Sequence, residues 1–256
     1  MTATTIAIAG KGGTGKTTIA SVLARGLARR GHRVWAIDAD SNPSLALALG
    51  LSKEASDKLL PLPRTVLKEG HDDQGRRRLE LEMPASAVAE RYGVTGPDGV
   101  TLMLMGQVEH AGAGCMCRAH AAARQLIGGL LEEDGVVAIV DMEAGLEHLS
   151  RGTDRHVRTL LVLLEPYFKA LETARRTVEL ARELGIPRIV GVANKLRDEQ
   201  DRAAVADYAQ AHDIEIIAEV PFDDALRRAD REHQAPIEAG CASVKEILSI
   251  ATELQL

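Results

Sequence analysis

The sequence predicts an α/β fold, an open and mostly parallel sheet, doubly wound with helices on both faces. Short branched-aliphatic runs recur along the chain, each followed by a segment of helical periodicity, and that alternation implies βαβ units with right-handed crossovers. Aromatic residues make up only 2% of the 256 residues while hydrophobic residues make up 45%. The core must therefore be aliphatic, which suits parallel strands buried on both faces. Several strands end in glycine turns or in carboxylates, at the edge of the sheet where ligands of open parallel sheets gather.

Residues 4–9 form the first strand and run into a glycine-rich turn. Over residues 17–30 the apolar side chains Ile19, Val22, Leu23 and Leu27 recur at helical spacing, and Gly31 stops the helix. Residues 34–37 read as a second strand ending at Asp38-Ala39-Asp40. Residues 51–99 break the rhythm with several prolines, the run Arg76-Arg77-Arg78 and the alternation Leu79-Glu80-Leu81-Glu82 of a half-exposed strand. They read as an insertion, an edge strand or hairpin, within one domain spanning residues 1–256, and the arginine run reads as a solvated face. Residues 101–105 are the third strand, 118–132 a helix, and 136–140 a fully buried strand ending at Asp141. Strands at 160–164, 189–193 and 214–218 then alternate with helices at 169–184 and 199–212, and a last helix begins near residue 244.

Composition excludes several functions. Against 37 acidic residues stand 31 basic ones, a net charge of -6, where a nucleic-acid-binding domain would be basic. Scarce aromatics also argue against a platform for stacked bases. No apolar run approaches the roughly 20 residues of a membrane span, and the first residues lack the pattern of a secretion signal. Three cysteines are too few for a disulfide framework and are expected as reduced thiols. The expectation is a cytoplasmic protein with neither nucleic acid nor membrane as partner.

The sharpest motif is Gly10-Lys11-Gly12-Gly13-Thr14-Gly15-Lys16-Thr17, which satisfies G-x-x-x-x-G-K-[ST] with a strand before it and a helix after it. Glycines let the backbone fold so that its N–H groups point at phosphate oxygens, and the helix N-terminus adds partial positive charge. Lys16 would neutralise the β and γ phosphates, and the Thr17 hydroxyl would ligate Mg²⁺. The motif identifies a nucleoside triphosphate site of the P-loop NTPase kind. Asp141 ends the most apolar strand, where an unpaired charge is expensive and a metal-directed aspartate is expected.

Lys11, directly after the first glycine, is unnecessary for cradling phosphate. With Gly12, Gly13, Thr14, Gly15, Lys16, Thr17 and Thr18 it resembles the deviant Walker A loop of the nitrogenase iron protein, MinD and ParA group of ATPases, although Thr14 stands where that group often has valine. The resemblance implies that Lys11 reaches across a homodimer interface to the partner's nucleotide, so that ATP and ADP control dimerisation. It further implies that Asp40 positions the attacking water, that Asp38 holds Mg²⁺ from behind, that Asn194 reads adenine, and that Pro221, Phe222 and Asp223 form a second base-contacting loop.

Cys115-Met116-Cys117 lies between a glycine-rich segment and the helix expected near Arg118. Two thiols one residue apart supply half of the four ligands that a thiolate metal site wants. A two-fold axis would supply the other half from a second copy; alternatively, Glu109, His110 or His120 would complete a site within one subunit. The pair also fits two small buried hydrophobes, and Cys241 reads as core.

Within the deviant Walker group the chain resembles the CooC family of nickel-dependent carbon monoxide dehydrogenase accessory ATPases. The resemblance is carried by Met105-Gly106-Gln107 leading into the cysteine pair, by Asp141-Met142-Glu143-Ala144-Gly145-Leu146-Glu147-His148-Leu149, by Arg151-Gly152-Thr153 and by Ala193-Asn194-Lys195. It implies an ATP-hydrolysing homodimer that carries Ni²⁺ or Zn²⁺ on Cys115 and Cys117 of both subunits and aids nickel insertion into carbon monoxide dehydrogenase or a related nickel enzyme. The alternatives are a positioning ATPase of MinD or ParA type, disfavoured by the acidic balance and a poorly basic C-terminal helix, and an iron–sulfur reductase, disfavoured because no cysteine follows Asp141 before Cys241. Glu143, Glu147 and His148 read as a solvated helix start, and His32 and His212 as residues following helix ends.

Overall fold

A computed structural model describes residues 3–71, 77–105, 125–129, 133–143 and 157–256. Its strands are β1 (Thr4–Ala9), β2 (Arg33–Ala39), β3 (Leu67–His71), β4 (Arg77–Leu81), β5 (Val94–Thr95), β6 (Thr101–Leu104), β7 (Val136–Met142), β8 (Thr159–Leu164), β9 (Arg188–Leu196) and β10 (Ile216–Pro221). Eight of them form one sheet in the order β10-β9-β8-β1-β7-β2-β6-β5, and β3 pairs with β4 in a separate antiparallel hairpin. Within the large sheet only the short edge strand β5 runs antiparallel, against β6. The helices are α1 (Lys16–Arg29), α2 (Leu45–Leu49), α3 (Lys53–Asp57), α4 (Ala85–Tyr92), α5 (residues 125–129), α6 (Phe168–Glu183), α7 (Glu199–Ala211), α8 (Asp224–Arg231) and α9 (Ala242–Glu253).

The aliphatic composition does what parallel strands require. Side chains alternate between the faces of a strand, so Ile6 and Ile8 of β1 enter one core and Ala7 and Ala9 the other. On the first face α1 packs Ile19, Val22, Leu23 and Leu27, and α9 packs Val244, Ile247 and Ile250. On the opposite face α6 contributes Leu171, Ala174 and Val178, joined by Val88 of α4 and Val205 of α7. From β1 the chain runs outward to β2 in one direction and later to β8, β9 and β10 in the other. The reversal places the carboxyl ends of β1, β7 and β2 at a topological switch point, the ordinary ligand position of this architecture.

Three differences from the expected elements have physical causes. β2 runs on to Ala39 because its backbone stays paired to β6 and β7 past the last aliphatic residue, which puts Asp38 inside the strand. The last strand is β10 and not residues 214–218, since Ile214 belongs to the stop of α7: its N–H donates to the Ala209 carbonyl across Asp213, which takes a left-handed φ of 54°. Residues 45–57 and 224–231 form α2, α3 and α8, helices too short to show a periodicity. Between residues 51 and 99 lie α3, the β3–β4 hairpin, α4 and β5. Among the described residues no helix is long and apolar enough to cross a membrane. The cysteine pair and residues 144–156 lie outside the described residues.

Leu23 is fully buried between α1 and the sheet. Leu23→Ala is expected to lower unfolding stability by about 2–5 kcal/mol, read as a lower urea midpoint at unchanged slope, with nucleotide affinity retained because no phosphate-facing group moves.

Candidate functional site

The phosphate loop leaves β1 and enters α1 at Gly15, the residue capping that helix, whose φ of 93° is left-handed and whose position offers no side-chain cap. The first amides of α1 are thus left for a ligand. Within the loop the Thr14 hydroxyl donates to the Lys11 carbonyl at 2.8 Å. The buried Lys16 ammonium folds back to donate to the Gly10 and Lys11 carbonyls at 3.1 and 3.4 Å. Lys11 itself is exposed.

A second grip comes from the end of β9. The Asn194 amide donates to the Thr14 carbonyl at 2.7 Å, and Lys195, at a left-handed φ of 62°, donates to the Gly13 carbonyl while pairing with the buried Glu165 at 2.6 Å. These bonds tie the Thr14 and Gly13 carbonyls to the end of β9, while the Thr14 N–H donates to the Lys11 carbonyl at 3.2 Å. They also explain Gly15: a Cβ there would lie 2.8 Å from the Asn194 amide nitrogen.

Carboxylates gather where β2 and β7 end. Asp38 is buried, and its carboxylate accepts from the backbone N–H groups of Asp40 (3.2 Å), Ser44 (3.0 Å) and Leu45 (2.9 Å). Burial pushes its carboxyl up to about 6 against the pull of those amides, and the Asp40 charge adds to the rise. Asp141 stands opposite Asp38 in the strand register. Its Oδ2 accepts from the Thr17 hydroxyl at 2.6 Å, and its buried Oδ1 has no partner among the described residues. Burial pushes Asp141 up to about 7, with Asp38 and Asp40 adding to the rise and the Thr17 bond and Lys16 opposing it. Asp40 accepts from the Asn42 N–H at 2.8 Å, and Glu143 accepts from the Ser41 hydroxyl at 2.9 Å.

Two cavities flank the loop. One is lined by Gly12, Lys16, Thr17, Asp40, Ser41 and Glu143. The other, beyond Gly15, is lined by Thr18, Asn194, Pro221, Phe222, Asp223 and Leu226. Asp223 caps α8 through the Ala225 N–H, and the Arg197 guanidinium stacks 4.1 Å from the Phe222 ring centroid. The first cavity is lined by loop glycines, a lysine and carboxylates, the second partly by the apolar Pro221, Phe222 and Leu226.

The residues expected at the nucleotide therefore converge, with Lys16, Thr17, Asp38, Asp40 and Asp141 on one side of the loop and Asn194, Pro221, Phe222 and Asp223 on the other. Cys115, Cys117, Glu109, His110 and His120 lie outside the described residues, and among the described residues no group of three or more His, Cys, Asp or Glu is arranged to hold a metal ion. Sequence reasoning missed the roles of Glu165 and Lys195, and it read Glu143 as solvated where the structure sets it against the phosphate cavity.

Residues 5–237 match the CobQ/CobB/MinD/ParA nucleotide binding domain. The chain is 39% identical to the carbon monoxide dehydrogenase accessory protein CooC of Rhodospirillum rubrum, over 88% of this chain and 86% of that one. It is 35% identical to MJ0823 of Methanocaldococcus jannaschii, an uncharacterised ATP-binding protein, over 96% and 95% of the two chains. Among solved structures it superposes on the Aquifex aeolicus MinC:MinD cell division complex with a TM-score of 0.71 at 19% identity, covering 98% and 95% of the chains. Pyrococcus horikoshii MinD, complexed with Mg-ADP, gives 0.70 at 20% identity, covering 98% and 96%. Similarity at such identities shows the shared fold. The chain belongs to the CobQ/CobB/MinD/ParA nucleotide-binding family as a P-loop ATPase and, within that family, to the CooC group.

Proposed function

We propose that the protein is a cytoplasmic homodimeric ATPase, built on a single domain, that carries Ni²⁺ or Zn²⁺ on Cys115 and Cys117 and aids nickel insertion into carbon monoxide dehydrogenase or a related nickel enzyme. What carries the reading is the combination, in one chain with CooC-like sequence over most of its length, of a phosphate loop bearing an exposed extra lysine and a Cys-x-Cys pair.

ATP sits with its phosphates on the loop amides and Lys16, and its base between Asn194 and residues 221–223. The Asp141 oxygen left without a partner, beside the Thr17 hydroxyl, fits a hydrated Mg²⁺, which takes few protein ligands. When bound, Mg²⁺ neutralises charge on the β and γ phosphates. Asp38 holds the loop after β2 through its backbone bonds. Asp40 on that loop orients a water, whose oxygen bonds to the γ-phosphorus as the bond to the β,γ-bridging oxygen breaks. The water's proton passes to the departing phosphate, and ADP remains. Lys11 reaches the partner's phosphates, so ATP favours the closed dimer and hydrolysis releases it. Closure brings two cysteine pairs together, completing four thiolates that suit tetrahedral Zn²⁺ or square-planar Ni²⁺. The packing of α9 disfavours the membrane-positioning alternative, because Val244, Ile247 and Ile250 are buried against the sheet and leave no free apolar face of those residues for lipid.

Lys16→Ala is expected to reduce ATP turnover by at least about 10²-fold without unfolding the chain, measured as phosphate release beside a thermal melt. Asp141 gives a pH signature. Its folded carboxyl titrates well above the unfolded value, so the neutral form favours folding at acid pH, and that contribution is lost as pH rises through about 7. The melting temperature of the nucleotide-free protein, kept free of Mg²⁺, should fall between roughly pH 4 and pH 7, and Asp141→Asn should flatten the fall while abolishing hydrolysis. Asp38 contributes in the same direction around 6 and remains in the variant. For the metal, anaerobic wild type should bind Ni²⁺ or Zn²⁺ at one ion per dimer and dimerise on metal addition, both lost in Cys115→Ala/Cys117→Ala with ATP binding kept. Metal at background in the wild type, with dimerisation driven by ATP alone, would sink the metal role.

A further inference from the structure

The acidic groups above the sheet form two tiers. β2 and β7 are parallel neighbours with Asp38 opposite Asp141 and Ala39 opposite Met142. Asp40 and Glu143 each lie two residues beyond that pair and one residue past the end of their strand. The lower pair is buried, and its bonds go to backbone amides and Thr17. The upper pair lines the phosphate cavity.

Among the described residues the loop after β2 is held by bonds within itself and by bonds to two other elements, one of them from the Ser44 hydroxyl to the Thr17 hydroxyl at 3.4 Å. Asp38 takes the amides of Asp40, Ser44 and Leu45, and Asp40 takes the amide of Asn42. Both of those grips are internal to β2 and its own loop. The link to β7 is made just past the end of that strand: Glu143 Oε1 accepts from the Ser41 hydroxyl at 2.9 Å. Ser41 adjoins Asp40, so this bond sets the Asp40 segment relative to β7 and hence to Asp141 and Thr17. Neighbouring strands are about 4.8 Å apart, a span that suits the longer glutamate side chain.

We propose that Glu143 is a positioning residue for ATP hydrolysis, acting through Ser41 to place Asp40 over the phosphate cavity. The proposal rests on the reading of Asp40 as the water-orienting group. Misplacement by about 1 Å costs on the order of 10²-fold in rate, so the hold on the loop acts on turnover and not on the binding of ATP, whose phosphates rest on the loop after β1.

The test is steady-state hydrolysis with a parallel equilibrium ATP affinity on the full chain, each variant checked by thermal melt. Glu143→Ala and the shorter Glu143→Asp should lower kcat about tenfold or more with ATP Kd changed less than about threefold. Glu143→Gln, whose amide oxygen still accepts from Ser41, should retain most activity. Ser41→Ala should match Glu143→Ala, and the double variant should be no slower than either single one, as for two ends of one bond. Multiplying losses in the double variant, an unaltered kcat in Glu143→Ala, or a Glu143→Gln as slow as Glu143→Ala would each overturn the proposal. Asp40→Asn separates the failures. If it turns over like wild type, the reading of Asp40 falls and this proposal with it; if it is inactive while Glu143→Ala is normal, this proposal alone falls.

Discussion

A carboxylate buried at the end of a central parallel strand is the constraint on which the nucleotide side of this molecule depends. Asp141 sits in β7 between β1 and β2, shut off from water, with one oxygen on the Thr17 hydroxyl and the other without a partner among the described residues. Such a group resists ionisation, and its carboxyl rises to about 7. The strain is tolerable because the aliphatic ladder around it is buried on both faces. In the proposed function it also has a use: a buried, half-satisfied carboxylate beside a hydroxyl at the start of α1 would suit a hydrated divalent cation arriving with phosphate. Stability of the empty protein and readiness for Mg-ATP are therefore opposed at one atom.

The phosphate loop is held from both sides in different ways. From within, Lys16 and Thr14 tie the loop to its own carbonyls. From without, Asn194 and Lys195 at the end of β9 hold the Thr14 and Gly13 carbonyls, with Glu165 neutralising the lysine. An anion site made from amides needs those dipoles fixed before the anion arrives, since a loop that reorganised on binding would forfeit part of the interaction. Asn194 lines the second cavity while gripping the phosphate loop, so one side chain links the two cavities.

Much of this was legible in the chain itself. The phosphate loop is a contiguous motif whose glycines and lysine have local reasons, and β1 and α1 follow from hydrophobic period alone. Asp141 could be found because a charge closing an all-aliphatic run needs an explanation. Glu143 and Lys195 could not be weighed in the same way. A glutamate after a strand and a lysine in a turn are ordinary solvated residues until the partner is known, and Ser41, Glu165 and Gly13 are remote from them in sequence. Ile214 misled for a related reason: its apolar side chain extended the apparent strand, while its N–H was already committed to closing α7.

By itself the sequence determined the α/β class, the aliphatic two-faced core and the position of the phosphate loop, because those follow from periodicity, composition and a loop whose residues are adjacent. The tertiary structure decided which carboxylates meet and what each one holds. Parallel pairing sets β2 beside β7 in a register that puts Asp38 across from Asp141 and brings Glu143 to Ser41, and it sets the end of β9 against the phosphate loop. Those neighbours are made by crossovers of tens of residues, so no local pattern encodes them. They exist only once the sheet order is formed.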